Sequence, residues 1–308
     1  MRQIDITDAK SGDCKTCGGY GSGIFGQPCL ACLAPRATYM SFGGGVQSTA
    51  IAELVIRRDP RLLAVAPNLP ELFIFANTGD EPEAVYAHVE MMKARIEAAG
   101  FRWLTVCKGG RLGDTAAAGR VDIPVWTDTD DPDAKRRPMR RACTVDWKAA
   151  IMDREAKTRY GINLRRKKQP EGVVSCWQGI STDEAQRTRI SQDQWRSFCY
   201  PLLSMRWSRL DCLAYLASVS MTAPKSACVF CPFHGDEVWR SLSPADMARA
   251  VEVEDAMHAH VAAGTGYASR LRSLPTLHRS GIPLRERPFD RGEDSGAMDN
   301  ECAGICGV

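Results

Sequence analysis

Residues 37–49, ATYMSFGGGVQST, indicate the fold class, because apolar residues are followed by three glycines and then by two hydroxyl residues. Residues 37–42 predict a β-strand, and Ser48-Thr49 is typical of a helix start, here of a helix over residues 50–58. A glycine turn between a strand and a helix lets backbone N–H groups approach a phosphate, and the helix N-terminus adds positive potential. The stretch therefore indicates a phosphate-binding turn, unless the glycines serve only the geometry of the turn.

Strand and helix patterns alternate along the chain after this turn. Strands are predicted over residues 72–76, 102–107 and 172–178, and helices over residues 82–99, 144–159 and 208–217. Such alternation is typical of an α/β fold with a doubly wound, mostly parallel sheet. After Cys231 the pattern becomes helical, with a helix expected from Ser243-Pro244 to about residue 263.

We expect three parts along the chain. Residues 1–36 are rich in cysteine and glycine and precede the first strand. Residues 37–225 form the predicted nucleotide-binding α/β domain, and residues 226–308 form a helical C-terminal region that ends in a cysteine-bearing tail.

Composition limits the class of protein. With 308 residues, of which 44% are hydrophobic, the chain is long enough for one large α/β domain and small appendages. Its longest apolar runs fall far short of the ~20 residues of a membrane helix, and its first residues lack the apolar segment of a secretory signal. We therefore expect a cytoplasmic protein with no membrane partner. A net charge of +3 is by itself too small to indicate nucleic-acid binding.

The 13 cysteines indicate metal ligation or catalysis, because cytosolic thiols stay reduced. Cys14 and Cys17 form one CxxC pair, Cys29 and Cys32 form a second, and a glycine-rich loop separates the two pairs. This spacing brings four thiolates into a tetrahedron around zinc at ~2.3 Å. Residues 1–36 are therefore predicted to be a structural zinc module that could also bind nucleic acid or a partner. The alternative is four cysteines without a metal.

Residues 41–49 (SFGGGVQST) resemble the PP-loop of ATP pyrophosphatases, adenylating thiolases and PAPS (phosphoadenosine phosphosulfate) reductases. Further matches follow in the same order as in that family, at residues 77–83, 141–148, 179–189, 200–211, 228–231 and 301–304. Each match is weak alone, but together they make the chain similar to the PAPS reductase-like family. The resemblance implies a PP-loop α/β fold and an adenine nucleotide ligand: ATP, APS (adenosine phosphosulfate) or PAPS.

The resemblance also implies roles for single residues. Lys148 is implied to bind the substrate, and Arg187 or Arg189 would supply the planar guanidinium that contacts its phosphate or sulfate. Nucleotide contacts are implied for residues of the glycine turn and of the segment after the second strand, namely Ser41, Phe42, Gly43, Gly44, Gly45, Gln47, Ser48, Thr49, Asn77, Thr78 and Gly79.

The chain departs from the family pattern at the glycine turn. Gln47 stands where ATP-cleaving members carry an Asp, and an amide ligates magnesium less strongly than a carboxylate. Val46 replaces a residue that is often basic, and Ser181 stands where an Arg is usual. These changes favour nucleotide binding without ATP cleavage, as in the sulfonucleotide reductases.

Three distant cysteines are expected from the resemblance to hold a 4Fe-4S cluster: Cys143, Cys228 and Cys231. Ala142 replaces the fourth cysteine of the assimilatory reductase pattern, which would leave one iron open to sulfur or substrate. Zinc at the same thiols is the main alternative, and a Cys143 that is simply packed in the core is another.

Other cysteines are candidates for closing the cluster or for catalysis. Cys176, Cys199 or a cysteine of the tail could supply the fourth ligand. Residues 301–304 (ECAG) are similar to the Glu-Cys-Gly tail that carries the reductase nucleophile, which implies that Cys302 is catalytic. Cys306 could form a transient disulfide with Cys302 or ligate metal.

Two basic segments, residues 135–141 and 165–168, are expected to border the carboxyl edge of the sheet. They would attract a phosphate-rich substrate such as nucleic acid, unless they are solvated loops. Trp126, Trp147 and Trp177 are candidates for base stacking or for the core.

Three functions fit these observations. The first is reductive cleavage of APS or PAPS to sulfite, with Cys302 as the nucleophile and a thiol protein as the reductant. The second is ATP-dependent insertion of sulfur into DNA or tRNA, which the zinc module and the basic segments favour. The third is a nucleotide- or nucleic-acid-binding protein without turnover. The glutamine at position 47 and the tail favour the first.

Overall fold

A computed structural model describes residues 37–128, 137–139, 141–162, 174–193, 195–271 and 273–289. The predicted zinc ligands Cys14, Cys17, Cys29 and Cys32 lie outside these residues. So do the tail cysteines Cys302 and Cys306, the basic segment 165–168, and Lys135, Arg136 and Arg140 of the basic segment 135–141.

Strands and helices alternate through most of the described chain. The strands are β1 Ala37–Ser41, β2 Leu72–Asn77, β3 Arg102–Cys107, β4 Trp126–Thr127, β5 Arg137–Pro138, β6 Val174–Trp177 and β7 Arg196–Cys199. The α-helices are α1 Val46–Ile56, α2 Pro60–Val65, α3 Glu83–Ala98, α4 Asp114–Ala117, α5 Ala150–Arg159, α6 Pro201–Ser204, α7 Arg209–Ser218, α8 Asp236–Ser241 and α9 Pro244–Ala262. A π-helix spans Cys143–Ala149, and 3-10 helices span Thr182–Arg187 and Ala268–Arg270.

Five strands form one parallel sheet in the order β3-β2-β1-β6-β7. β4 and β5 pair separately in an antiparallel ribbon. From β1 the chain first adds strands on one side and then crosses to add β6 and β7 on the other side. The order of the strands therefore reverses between β1 and β6, which is where open α/β sheets bind ligands. The predicted α/β class with a parallel sheet is confirmed.

Alternate residues of the central strands enter two hydrophobic clusters, one on each face of the sheet. Met40 and Phe73 pack with apolar residues of α1, α3 and α7. Tyr39 and Ile74 pack on the other face with α5, through residues such as Met152. Because both faces of the sheet are covered by helices, β1 and β2 are mostly apolar on both faces, as is usual for central parallel strands.

The structure differs from the predicted secondary structure in several places. The helix predicted over residues 50–58 is α1, which begins earlier and spans Val46–Ile56. The helix predicted over residues 144–159 begins as the π-helix Cys143–Ala149 and becomes regular only at α5. β7 was not predicted, because its first residue is Arg196, a charged residue that is buried. Arg196 donates to Asp153 of α5 and to Asp193, and these carboxylates offset its charge.

A third hydrophobic cluster joins the C-terminal helices to the segment between β3 and the π-helix. Val253 and Met257 of α9 pack with Leu112, Val125 and Trp147. Asp80, which follows β2, strengthens the junction, because its carboxylate accepts hydrogen bonds from the Gly113 backbone at 2.7 Å and from Arg249 of α9 at 2.9 Å. Within the described residues, no helix is long and apolar enough to cross a membrane.

Candidate functional site

The glycine turn lies at the carboxyl end of β1, beside the point where the strand order reverses. Gly44 has a φ of +78°, a conformation that favours glycine, and a Cβ atom at this position would lie 3.2 Å from Cγ2 of Val89. Gly45 caps α1, and its backbone N–H lies 3.1 Å from the Ser48 hydroxyl. The local sequence thus produces a tight turn into a helix N-terminus, as predicted, and residues 41–50 are all buried.

The loop after β6 touches the first turn of α1. A Cβ atom on Gly179 would lie 3.1 Å from the backbone nitrogen of Ser48, so a side chain at position 179 would press on the helix. The Gln47 amide donates to Ser181 Oγ at 3.4 Å and to Glu184 Oε2 at 3.3 Å. Gln47 therefore uses its amide group to hold the neighbouring loop.

A buried histidine of α3, His88, contacts the first turn of α1. His88 Nε2 lies 2.8 Å from Thr49 Oγ1. Burial lowers the pKa of His88 to about 4, so the imidazole is neutral at neutral pH. Thr49 is thus tied to α3 and contributes to the shape of the turn.

The segment after β2 forms a second compact turn. The Asn77 side chain accepts hydrogen bonds from the Gly79 backbone at 2.8 Å and from the Tyr86 hydroxyl at 2.9 Å. Gly79 has a φ of +81°, and a Cβ atom at this position would lie 3.0 Å from Cγ of Arg111. Thr78 is buried and donates to Glu81 Oε1 at 3.2 Å. Asn77, Thr78 and Gly79 therefore shape this edge of the sheet.

A small cavity collects the three cysteines that were predicted as metal ligands. Its volume is about 40 Å³. Cys143 and Lys148 enter it from the π-helix, and Cys228 and Cys231 enter it from the loop before α8. The remaining walls include Leu112, Ile123, Pro124, Arg141, Thr144, Phe230, Pro232 and Phe233. We call this cavity the thiol pocket.

A buried ion pair lies at the thiol pocket. Lys148 donates to Glu81 Oε1 at 3.1 Å, and both side chains are almost wholly buried. Cys228 Sγ lies 3.7 Å from the same oxygen and 3.2 Å from Thr78 Oγ1. The other carboxylate oxygen, Oε2, is buried without a hydrogen-bond partner among the described residues. Glu81 was not predicted as a site residue, because no local pattern distinguishes it from the exposed acids nearby.

The protonation of Cys228 follows from these surroundings. The residue is partly exposed, but its thiol is enclosed. Burial and then the Glu81 carboxylate raise the pKa of Cys228 well above its usual value, and Lys148 opposes this effect. Without a metal the group is therefore a thiol that can donate to Glu81.

His234 orders the loop that carries the CxxC pair. Its Nε2 lies 2.9 Å from the Cys228 carbonyl oxygen, and its ring packs edge-on against Trp239 at 4.9 Å between centroids. The Cys231 N–H donates to the same carbonyl at 2.9 Å, which closes a tight turn. His234 is thus a support for the CxxC loop.

The thiol pocket has the donor types of a thiolate-bound metal. Three cysteines from two elements line it, and thiolates are ligands of both zinc and iron–sulfur clusters. In the described residues, however, no three His, Cys, Asp or Glu side chains are near enough to one another to hold one ion. The residues therefore fit in type and location, whereas a closed coordination shell would need side-chain adjustment. Cys176 and Cys199 are buried in the sheet and do not line this pocket.

The glycine turn and the thiol pocket are joined directly. Ser226, two residues before Cys228, donates from its hydroxyl to the Gly43 carbonyl oxygen. The Val229 N–H donates to the Asp80 carbonyl oxygen at 2.9 Å. The CxxC loop is therefore docked on the turns that follow β1 and β2.

The predicted substrate residues occupy different places. Lys148 lines the thiol pocket. Arg187 forms an ion pair with the buried Glu184 beside the glycine turn. Arg189 lies over the Phe198 ring at 5.4 Å, and its backbone N–H donates to the Tyr200 hydroxyl. The three residues thus contact different partners.

The structure also gives the burial of two further cysteines and of the three tryptophans considered for base stacking. Cys107 is exposed at the end of β3, whereas Cys212 is buried. Trp147 and Trp177 are core residues, whereas Trp126 is partly buried and donates to the Pro232 carbonyl at 3.0 Å.

No protein-family model matches the chain, and no curated protein matches it.

Proposed function

We propose that this protein binds an adenine nucleotide at the glycine turn and performs sulfur chemistry at the thiol pocket, as PAPS reductase-like proteins do. The hydrogen bond from Ser226 to Gly43 carries the proposal, because it joins the phosphate-binding candidate to the cysteine-bearing loop. Both features lie at the carboxyl edge of a parallel sheet, where ligands of this architecture bind.

The reaction that fits best is reductive cleavage of APS or PAPS. The Cys302 thiolate attacks the sulfur, the bond between that sulfur and the phosphate oxygen breaks, and AMP or its 3′-phosphorylated form leaves. The resulting thiosulfonate on Cys302 is attacked by a second thiol, which releases sulfite and leaves a disulfide. A dithiol protein then reduces the disulfide and so supplies the two electrons.

Gln47 favours this reaction over ATP cleavage. Its amide nitrogen is committed to Ser181 and Glu184, so the side chain acts as a donor to the neighbouring loop. A carboxylate at this position would be available as a magnesium ligand. Nucleotide binding without pyrophosphate cleavage is consistent with this arrangement.

Sulfur insertion into nucleic acid is the second candidate. Arg141, the last residue of the basic segment 135–141, lines the thiol pocket with its guanidinium 3.8 Å from the Phe233 ring centroid. A cation held on an aromatic ring at the edge of a reactive pocket suits a nucleic-acid phosphate or base. This reaction would consume ATP to activate the acceptor atom.

Cys143, Cys228 and Cys231 would hold a 4Fe-4S cluster, or alternatively zinc, in either reaction. A bound cluster would supply a redox-active or polarising centre. Lys148, which is buried beside these thiols, would place a positive charge near substrate oxygens. A zinc ion at the four cysteines of residues 1–36 is proposed as a separate, structural site.

Sulfite release tests the first reaction. The full chain is incubated anaerobically with APS or PAPS and dithiothreitol, and sulfite and the nucleotide product are measured. Cys302→Ser should abolish both products, whereas Cys107→Ser, which removes an exposed thiol, should leave the rate unchanged. Unchanged turnover in Cys302→Ser would remove Cys302 from the mechanism. Product formation only with ATP and nucleic acid would support the second candidate, and nucleotide binding without any product would indicate a binding protein.

Metal analysis tests the thiol pocket. Anaerobically purified protein should contain about four irons and four sulfides beside one zinc. Cys143→Ala should lose the iron and retain the zinc. Two zincs without iron would contradict the cluster and indicate a zinc-stabilised pocket.

A further inference from the structure

A buried acid lies beside the glycine turn, where a phosphate-binding site would be expected to carry positive charge. Glu184 is only 4% exposed. Its carboxylate lies 3.3 Å from the Gln47 amide nitrogen, and Gln47 belongs to the first turn of α1. The acid therefore borders the crevice between β1 and β6.

Two contacts hold this carboxylate in place. Arg187 donates to Glu184 Oε1 from one turn further along the same 3-10 helix, and its side chain is 10% exposed. Gln47 donates to Oε2. Swinging the acid away from the crevice would break both contacts and leave a buried guanidinium without this counter-charge, so the acid should stay when a ligand enters.

The ion pair between Arg187 and Glu184 also determines how strongly the crevice attracts or repels a negatively charged ligand. The Arg187 charge is offset by Glu184, so the pair adds no net positive charge to the helix N-terminus. A phosphate chain that extends past Gln47 would approach a fixed carboxylate in a poorly hydrated place, where like charges repel more strongly than in water. A longer and more highly charged chain would be repelled more.

We propose that Glu184 is a specificity-determining residue, which selects nucleotides with a short phosphate or phosphate–sulfate tail and excludes nucleoside triphosphates. This inference rests on the proposed nucleotide site and deepens it, because it assigns the substrate class to sulfonucleotides and not to ATP. Gln47 contributes by holding Glu184 at the crevice.

Binding of AMP and ATP to the full chain tests the proposal. Dissociation constants are measured by calorimetry, with EDTA and again with magnesium, for wild type and for Glu184→Gln. The substitution keeps the shape and removes the charge, so ATP should bind about tenfold more tightly while AMP changes less than about threefold. Asp183→Asn is the matched control, because Asp183 is the neighbouring acid and is exposed. It should leave the ratio of the two constants unchanged.

Other outcomes would overturn the role of Glu184. An unchanged ratio in Glu184→Gln, or an equal change in Asp183→Asn, would mean that the acid does not select the nucleotide. Weaker binding of magnesium-ATP in Glu184→Gln would mean that the carboxylate ligates the metal and favours triphosphates. If wild type binds AMP in these cases, the nucleotide site itself stands; no binding of AMP, ATP or APS by any variant would contradict the proposed function as well.

A substitution of Arg187 tests the effect of the Glu184 charge by removing its partner. Arg187→Gln leaves the Glu184 carboxylate without its main counter-charge, so ATP binding should weaken by more than AMP binding. Equal weakening of both nucleotides would overturn the inference and would indicate that Arg187 simply binds the phosphate next to the nucleoside. Far-ultraviolet circular dichroism confirms that each variant is folded before its binding is measured.

Discussion

The crevice beside the glycine turn and the thiol pocket use buried charge in different ways. In the crevice, Glu184 is bound on both oxygens, by Arg187 and by Gln47. At the thiol pocket, one carboxylate oxygen of Glu81 accepts hydrogen bonds from Lys148, Thr78 and Cys228. Its other oxygen is buried without a hydrogen-bond partner in the described structure. Each oxygen of the Glu184 carboxylate thus accepts a hydrogen bond, which holds the group in place. The Glu81 carboxylate retains unused capacity, which is expected where a ligand or a proton arrives.

The largest expected effect comes from breaking the ion pair at the thiol pocket. Lys148→Met leaves the Glu81 charge buried without its cation, which costs about 3–5 kcal/mol of stability. Urea denaturation measures the loss. Lys93→Met, which removes the exposed partner of Glu90, should change stability by less than about 0.5 kcal/mol. Equal effects of the two substitutions would contradict the importance of burial at Lys148.

Adding even a methyl group to the glycine turn should lower the stability of the protein. Gly44→Ala combines a left-handed backbone conformation with a close contact to Val89 and should cost about 2 kcal/mol. Gly100→Ala, which has a φ of +88° and open space around it, isolates the backbone strain and should cost about 1 kcal/mol. The free energies of unfolding of both variants are compared. A cost at Gly44 no greater than at Gly100 would mean that the turn has room to relax.

Acid should weaken the helix that follows the glycine turn. The pKa of His88 is about 4 in the folded protein and about 6.5 when unfolded, so the unfolded chain binds the proton more readily between these values. Stability is therefore fully present above pH 6.5 and falls as the pH drops towards 4, by on the order of 1–2 kcal/mol from this group. His88→Gln should reduce the dependence in thermal unfolding measured from pH 7 to pH 4.5. An identical pH profile in both proteins would exclude His88 as the cause.

The smallest effect is expected at the junction of the two regions. Ser226→Ala removes the hydrogen bond to the Gly43 carbonyl and should lower stability by about 1 kcal/mol. Ser218→Ala removes a helix-internal bond to Tyr215 and should cost less. Hydrogen exchange at residues 44–48 sharpens the test, because only the Ser226 variant should expose the glycine turn. Unchanged exchange there would mean that the CxxC loop does not stabilise it.

Much of the fold was predictable because it depends on local patterns. The apolar strands β1 to β3, the helices α3 and α7 and the glycine turn follow from residue order and spacing. β7 was missed because its first residue is the charged Arg196, and the contacts of Arg196 with Asp153 on α5 and with Asp193 explain how that charge is buried. The π-helix was missed because its sequence is compatible with an ordinary helix, and the change in hydrogen-bond register is set by packing.

The candidate site shows the same division. The sequence by itself predicted the glycine turn from its strand–glycine–helix order and the Cys228–Cys231 pair from its spacing, whereas Cys143 was predicted from the resemblance to the PAPS reductase-like family. Only the tertiary structure decided that Ser226 joins these elements and that two acids, Glu81 and Glu184, are buried beside them. Whether an acid is exposed or buried, and which cation offsets it, depends on residues far away in the chain. For that reason the ion pair between Arg187, which is predicted to contact a substrate anion, and Glu184 was not predictable from the sequence.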